Sequence, residues 1–283
     1  MTISEEFKIF AKFLAETDIA SIAGWKRLVV NLTRIHNPWC YIGSEENTLL
    51  MDYMIHQPEK IPSRAMTERN MRAKGGHGRT GFHVACAIGY LTKIPSEWIT
   101  PHNLLIGDFS TLTPLSELAI AGHLTQVPTE ILRQSLCGEQ LDQHRFFSCP
   151  SFHLAAGHGH LDQIPEDMLT EENLGQEAHA FDKRTVWHVA AMAGNLCQLP
   201  QRLLTEKYLI NKVPVREFGE AQVTVYECGA NPEVRNQFLG IHIPSQFKEV
   251  FGAEWWKTNQ DLLNTKSNMK NSMQSSTDAI ELF

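Results

Sequence analysis

The sequence has no uninterrupted apolar run of the roughly 18 residues that a membrane-spanning helix needs. It opens MTISEEFKIF, with acids where a secretory signal would carry basic residues. Neither membrane spanning nor ordinary secretion is expected. Positive charge is in deficit, since 25 Lys and Arg face 32 Asp and Glu, a formal net charge of −7 at pH 7. That balance excludes a general attraction to nucleic acid or to acidic membrane surfaces. Cysteine is sparse and shows no C-x-x-C spacing among Cys40, Cys86, Cys137, Cys149, Cys197 and Cys228. A reduced, cytoplasmic setting is the simplest account.

What the sequence does have is repetition. Pro150 to Leu174 reads PSFHLAAGHGHLDQIPEDMLTEENL, and four further stretches align with it: 80–104, 113–136, 185–209 and, more weakly, 47–71. Pro62, Pro95, Pro128, Pro165 and Pro200 follow one another at 33, 33, 37 and 35 residues. Thr80, Thr113 and Thr185 stand before apolar runs, where a hydroxyl can accept a bond from an unpaired helix N–H. Gly89, Gly122, Gly159 and Gly194 each lie nine residues after the first position of their unit. A left-handed residue closing each first helix is expected there. The proline after Leu161-Asp162-Gln163-Ile164 suits the first turn of a second helix. That helix is expected to be short, ending near Leu169-Thr170. Thr67, Thr100 and Thr170, each three residues before an Asn, predict a further turn or helix start.

A period near 33 with T-x-x-H and A-A-x-x-G-x-L cores resembles the ankyrin-repeat family over residues 47–212. The resemblance implies a mainly α chain, an ankyrin-repeat α-solenoid of about five repeats. The Ile/Val/Leu-Pro start of the second helix departs from the usual pattern of that family. The expected organisation is a helical N-terminal cap at 1–42, repeats at 43–212, a mixed β/α C-terminal cap or small β-β-α module at 213–263, and a disordered tail at 264–283. The first segment carries two amphipathic helical patterns, through Phe7, Phe10, Phe13 and Leu14 and through Ile19, Ile22, Trp25, Leu28, Val29 and Leu32. In the C-terminal segment, 221–228 and 238–243 read as strands and 245–263 as a helix. The terminal Ile280-Glu281-Leu282-Phe283 reads as a short docking motif or a frayed end.

Chemistry finds little footing. His153, His158 and His160 invite a metal reading, but His153 shares the T-x-x-H position with His83 and His188, and His160 matches His123. Only His158 falls outside the pattern, and no cluster of Cys, Asp or Glu accompanies it. The stretch 74–81, KGGHGRTG, superficially matches two phosphate loops. It lacks the Lys-Ser/Thr pair of a P-loop and carries Ala73 where a phosphatase nucleophile would stand. A catalytic C-terminal module using Glu217, Glu220, Glu227 or His242 is the weaker alternative. No enzyme and no cofactor are expected.

The resemblance instead implies binding by hairpin residues before each Thr and by the last residues of each first helix. Those helix pairs are Met54-Ile55, Ala87-Ile88, Ile120-Ala121, Gly157-His158 and Met192-Ala193, and the hairpins contribute Phe109, Phe146 and Phe181. Apolar residues there predict either a groove for a protein partner or a stripe the chain covers itself. The partner-binding candidates are therefore Met54, Ile55, Ile88, Phe109, Ile120, Phe146, His158, Phe181 and Met192. The implied function is a non-enzymatic protein–protein interaction module. An effector or inhibitor that blocks a particular enzyme is the alternative.

Overall fold

The computed structural model describes residues 37–40, 46–141, 150–214 and 222–259. The expected N-terminal helices, the Phe146 hairpin position, Glu217, Glu220 and the 264–283 tail lie outside them. The chain is mainly α-helical. Its contacts divide it into two compact units, Met1–Ser151 and Phe152–Phe283.

Unit one is built from α1 (Leu49–His56), α2 (Glu68–Met71), α3 (Gly81–Ala87), α4 (Pro101–Leu104), α5 (Pro114–Ala121) and α6 (Thr129–Leu141). The longer helices α1, α3 and α5 pack on one another in sequence. Small residues at the contacts, Ala85, Cys86 and Ala119, are fully buried and let the backbones approach. Each of these helices starts at a threonine in extended conformation. Thr113 accepts from the backbone N–H of Ser116, as the sequence predicts; Thr48 does the same for Met51, while the Thr80 hydroxyl lies 2.9 Å from His83 Nδ1. Gly89 and Gly122 follow with φ of +70° and +74°, a region where a Cβ is unfavourable. Ahead of α1, a 3₁₀ turn at Pro38–Cys40 buries Trp39, which meets Tyr53 edge-on at 5.4 Å.

The segment after each glycine differs from expectation. Except at Pro128, which directly precedes α6, its proline does not open an α-helix, as the Pro95 copy shows. A 3₁₀ turn precedes it (Leu91–Lys93) and a second follows it (Ser96–Trp98), with Pro95 as the extended residue between them. The residue before a proline is pushed out of the helical region, and Ile94 accordingly has ψ of 139°. A threonine then restarts the helix. Thr67 and Thr100 accept from the backbone N–H of Asn70 and Asn103, whose side-chain amides donate back to the carbonyls of Ala65 and Trp98 at 2.7 and 2.8 Å. This two-residue device ends one turn and begins the next. Where Arg133 and Leu136 replace the Thr and the Asn, the chain runs through as the 13-residue helix α6.

Unit two repeats the pattern with α7 (Ser151–His158), α8 (Glu171–Leu174), α9 (Val186–Ala193) and α10 (Glu206–Leu209). Gly159 and Gly194 both have φ of +80°. Two 3₁₀ turns again flank Pro165 and Pro200. Gln198 accepts from the N–H of Leu161 and donates to the carbonyl of Gly159, tying one glycine turn to the next copy.

The C-terminal part corrects the strand expectation. Strands β1 (Lys212–Pro214) and β2 (Gln222–Thr224) pair antiparallel, and Val225–Cys228 is a helix, α11. Residues 238–243 form no strand. Thr224 caps α11 in a reciprocal box, accepting from Glu227 N–H while the Glu227 carboxylate accepts from Thr224 N–H. Helix α11 packs on α9, Gln237 takes the place that Gln198 holds one copy earlier, and Pro244 stands extended before a 3₁₀ turn at Ser245–Phe247. These features are a sixth, divergent copy of the unit, which the sequence reading placed beyond the repeats. Tyr226 of α11, Phe238, Phe247, Phe251 of α12 (Lys248–Phe251) and Trp255 in the helical stretch 253–259 pack ring to ring and are buried.

Candidate partner-binding face

In unit one, the ends of successive first helices carry the exposed apolar residues. Ile55 is 41% exposed and Ile88 42%, seven and eight residues after the capping threonines Thr48 and Thr80, so at neighbouring positions of two adjacent copies. Ile120 is half-buried. Met54, named with them, is 1% exposed and belongs to the core. It falls three and four residues after Met51 and Leu50, in the middle of the buried face of α1. Phe109 stands at a loop tip, 74% exposed. Its ring lies over Gly78, where a Cβ would come within 2.7 Å of it and where φ is +78°.

In unit two, Met192 is 44% exposed and His158 is also exposed. Phe181 is half-buried, and its ring stacks on His153 at 5.5 Å with a 20° interplanar angle. That contact makes it a packing residue of its own loop, so it is a poorer docking group than its sequence position implied. Ile210, 38% exposed, is an apolar surface residue the pattern did not select.

The loops are fixed by the T-x-x-H histidines. His83 Nε2 donates to the carbonyl of Leu112 at 3.1 Å, while its Nδ1 receives the Thr80 N–H at 3.0 Å. His188 bridges the Thr185 hydroxyl at 2.7 Å and the Asn211 carbonyl at 3.1 Å. His153 Nε2 lies 3.1 Å from the Gln176 carbonyl and 3.0 Å from that of Arg184, the two ends of one loop. Its Nδ1 has no hydrogen-bond partner among the described residues. The threonine position of this copy is Pro150, which has neither hydroxyl nor N–H. Burial lowers all three imidazoles to about 4. They are neutral structural groups at pH 7.

An ion pair the sequence reading missed links the residue before α3's capping threonine to α5. Arg79 reaches Glu117 at 2.6 Å. Burial pushes the Glu117 carboxyl up, and the arginine beside it pulls it back down. The pair also closes the phosphate-loop question for 74–81. Arg79 is engaged by a carboxylate, and the N–H groups of Gly75, Gly76 and Gly78 donate to the carbonyls of Arg79, Glu46 and Gly75. Those three N–H groups are not directed at an anion. Glu227, a catalytic alternative, is spent on the Thr224 cap. No group of three His, Cys, Asp or Glu among the described residues could hold a metal ion, and no described helix is long and apolar enough to cross a membrane.

The chain matches no protein-family model and no curated protein. Its functional reading therefore rests on the geometry above.

Proposed function

We propose that the chain is an ankyrin-repeat protein that works as a non-enzymatic binding module, taking up a partner protein on the helix ends and loop tips of its repeats. The observation that carries this reading is that the ends of two packed helices each present an exposed apolar residue, Ile55 and Ile88, with the exposed Phe109 ring on a loop of the same unit. Apolar groups placed repeatedly on a surface are expected to be polar unless something covers them. Phe109 offers a rigid aromatic anchor of the kind that dominates binding energy at protein interfaces. A solenoid arrangement of the copies, a cytoplasmic location and the absence of any cofactor belong to the same proposal. Cys86, a buried thiol outside any disulfide, suits a reducing compartment.

The test is affinity capture from native cell lysate with the wild-type chain and with Ile55→Asp/Ile88→Asp/Phe109→Asp, both first shown to fold by circular dichroism. A partner held by the wild type and lost by the variant supports the reading. Equal capture by both removes this face from it.

A further inference from the structure

We propose that His83 is an acid-release catch: a proton taken at Nδ1 displaces the Thr80 N–H, draws the imidazole out into water and so frees the loop at 108–112 while the helices stay packed. A carbonyl oxygen can only accept, so the Nε2 atoms facing Leu112, Gln176, Arg184 and Asn211 carry the hydrogen. A backbone N–H can only donate, so Nδ1 of His83, 3.0 Å from Thr80 N, is bare. Geometry alone thus fixes a neutral imidazole. A second proton on His83 would set Nδ1–H against the Thr80 N–H, leaving the Thr80 hydroxyl at 2.9 Å as its acceptor, at a residue with no solvent exposure.

The surroundings offer little compensation. His83 faces Arg79 and Lys74, which oppose the proton, and Asp108, which favours it. His188 faces Arg184 and His153 faces His188, all unfavourable. The proton is best accommodated by withdrawing the imidazole into water.

The 108–112 loop is constructed to survive that withdrawal. Asp108 closes its own turn, its carboxylate accepting from Ser110 and Leu112 N–H at 2.7 and 3.0 Å and its N–H bonding the Leu112 carbonyl. The loop is a small closed body joined to the helix layer by an imidazole whose buried seat, with Nδ1 accepting from Thr80 N–H, fits the neutral ring.

Once released, an imidazole regains the ordinary value of about 6.5, so opening should rise roughly tenfold per pH unit between there and about 4, one proton per catch. The experiment is amide exchange by NMR on the full chain from pH 7 to 5, corrected for intrinsic rates. Thr80 N–H, bonded to Nδ1, and Phe109 N–H, bonded to the His77 carbonyl, report the 108–112 catch. The N–H groups of α3 report the helix layer. Protection at Thr80 and Phe109 should fall roughly tenfold per pH unit while α3 holds. In His83→Gln, whose amide supplies one donor and one acceptor without titrating, that pH response should vanish. Loss of Thr80, Phe109 and α3 protection together, no change down to pH 5, or an unaltered response in His83→Gln overturns the proposal. If His83→Gln does not fold, the wild-type His83 ring signals decide: titration in step with Thr80 exchange supports it, and titration without exchange overturns it.

Discussion

Arg79 and Glu117 meet at 2.6 Å across adjacent copies of the repeat, the arginine one residue before a capping threonine and the carboxylate four after the next. Arg184 and Cys228 hold the same two positions in the last two copies, and they too are in hydrogen-bond contact. The carboxylate of the first pair is nearly buried and the arginine about one-third exposed, with side-chain exposures of 13% and 34%.

Arg79→Met should therefore cost about 2–3 kcal/mol at pH 7, somewhat less than breaking a fully buried pair, because Glu117 keeps a charge it can no longer share. The loss relative to wild type should shrink as acid protonates Glu117, whose value is already raised. Glu117→Gln on the Arg79→Met background should recover most of it. Urea unfolding of the three chains at pH 7 and pH 4.5 checks the sign.

Arg133→Thr with Leu136→Asn should install the Thr and Asn device that divides the other copies. Helix α6 should then break near residue 133, with the new Asn amide bonded to the Ile131 carbonyl five residues back, the spacing seen from Asn103 to Trp98. Backbone chemical shifts across 129–141 would report two short turns. One unbroken helix would show that neighbouring packing holds α6 open-ended regardless of the device.

Gly194→Ala should destabilise unit two by more than the roughly 1 kcal/mol expected for a left-handed residue alone. Its φ is +80° and the added Cβ would press on Val234 Cγ1 at 3.1 Å. Gly159→Ala, with the same φ, meets only the Asn195 side chain at 3.3 Å and should cost less. Thermal unfolding of the two variants side by side gives the order.

Phe251→Ala should remove about 3–5 kcal/mol, because the ring is fully buried between Phe238 and Trp255. Since Gln237 and the aromatic cluster close the last copy, the loss should appear as earlier exchange of the α9 amides. Protection of α9 equal to wild type would mean that the terminal cluster is an independent appendage.

Much of the architecture was readable because it rests on residues with one physical use. A glycine nine residues after a helix start means a left-handed turn, and Gly89, Gly122, Gly159 and Gly194 all obey. Thr185 shows where that reasoning thins, since its hydroxyl serves His188 instead of a backbone N–H. The proline was read for its missing N–H, while its effect on the preceding residue decided the matter and held the chain to 3₁₀ turns. The sixth copy was hidden because Glu227 replaces the histidine and Pro244 follows Thr224 by 20 residues instead of 15, so neither ruler applied. Gln237, matching Gln198 thirteen residues into each copy, was the signal that could have exposed it. At the candidate face, position alone could not separate Met54 from Ile55, because neighbours one residue apart on a helix differ by 100° and only packing decides which of them is covered.

The bonds from Gln237 to Leu196 and Ala191 bear on how the chain emerges from the ribosome. A nascent chain that has delivered residues 185–209 still lacks the side chain that completes the turn after α9, some forty positions downstream. Its last recognisable repeat must wait with that turn unfinished, exposed to proteases and holdases, until the aromatic terminus arrives. A ribosome-stalled series should therefore gain protease resistance at residues 185–209 only once Gln237 and the aromatic residues after it clear the exit tunnel.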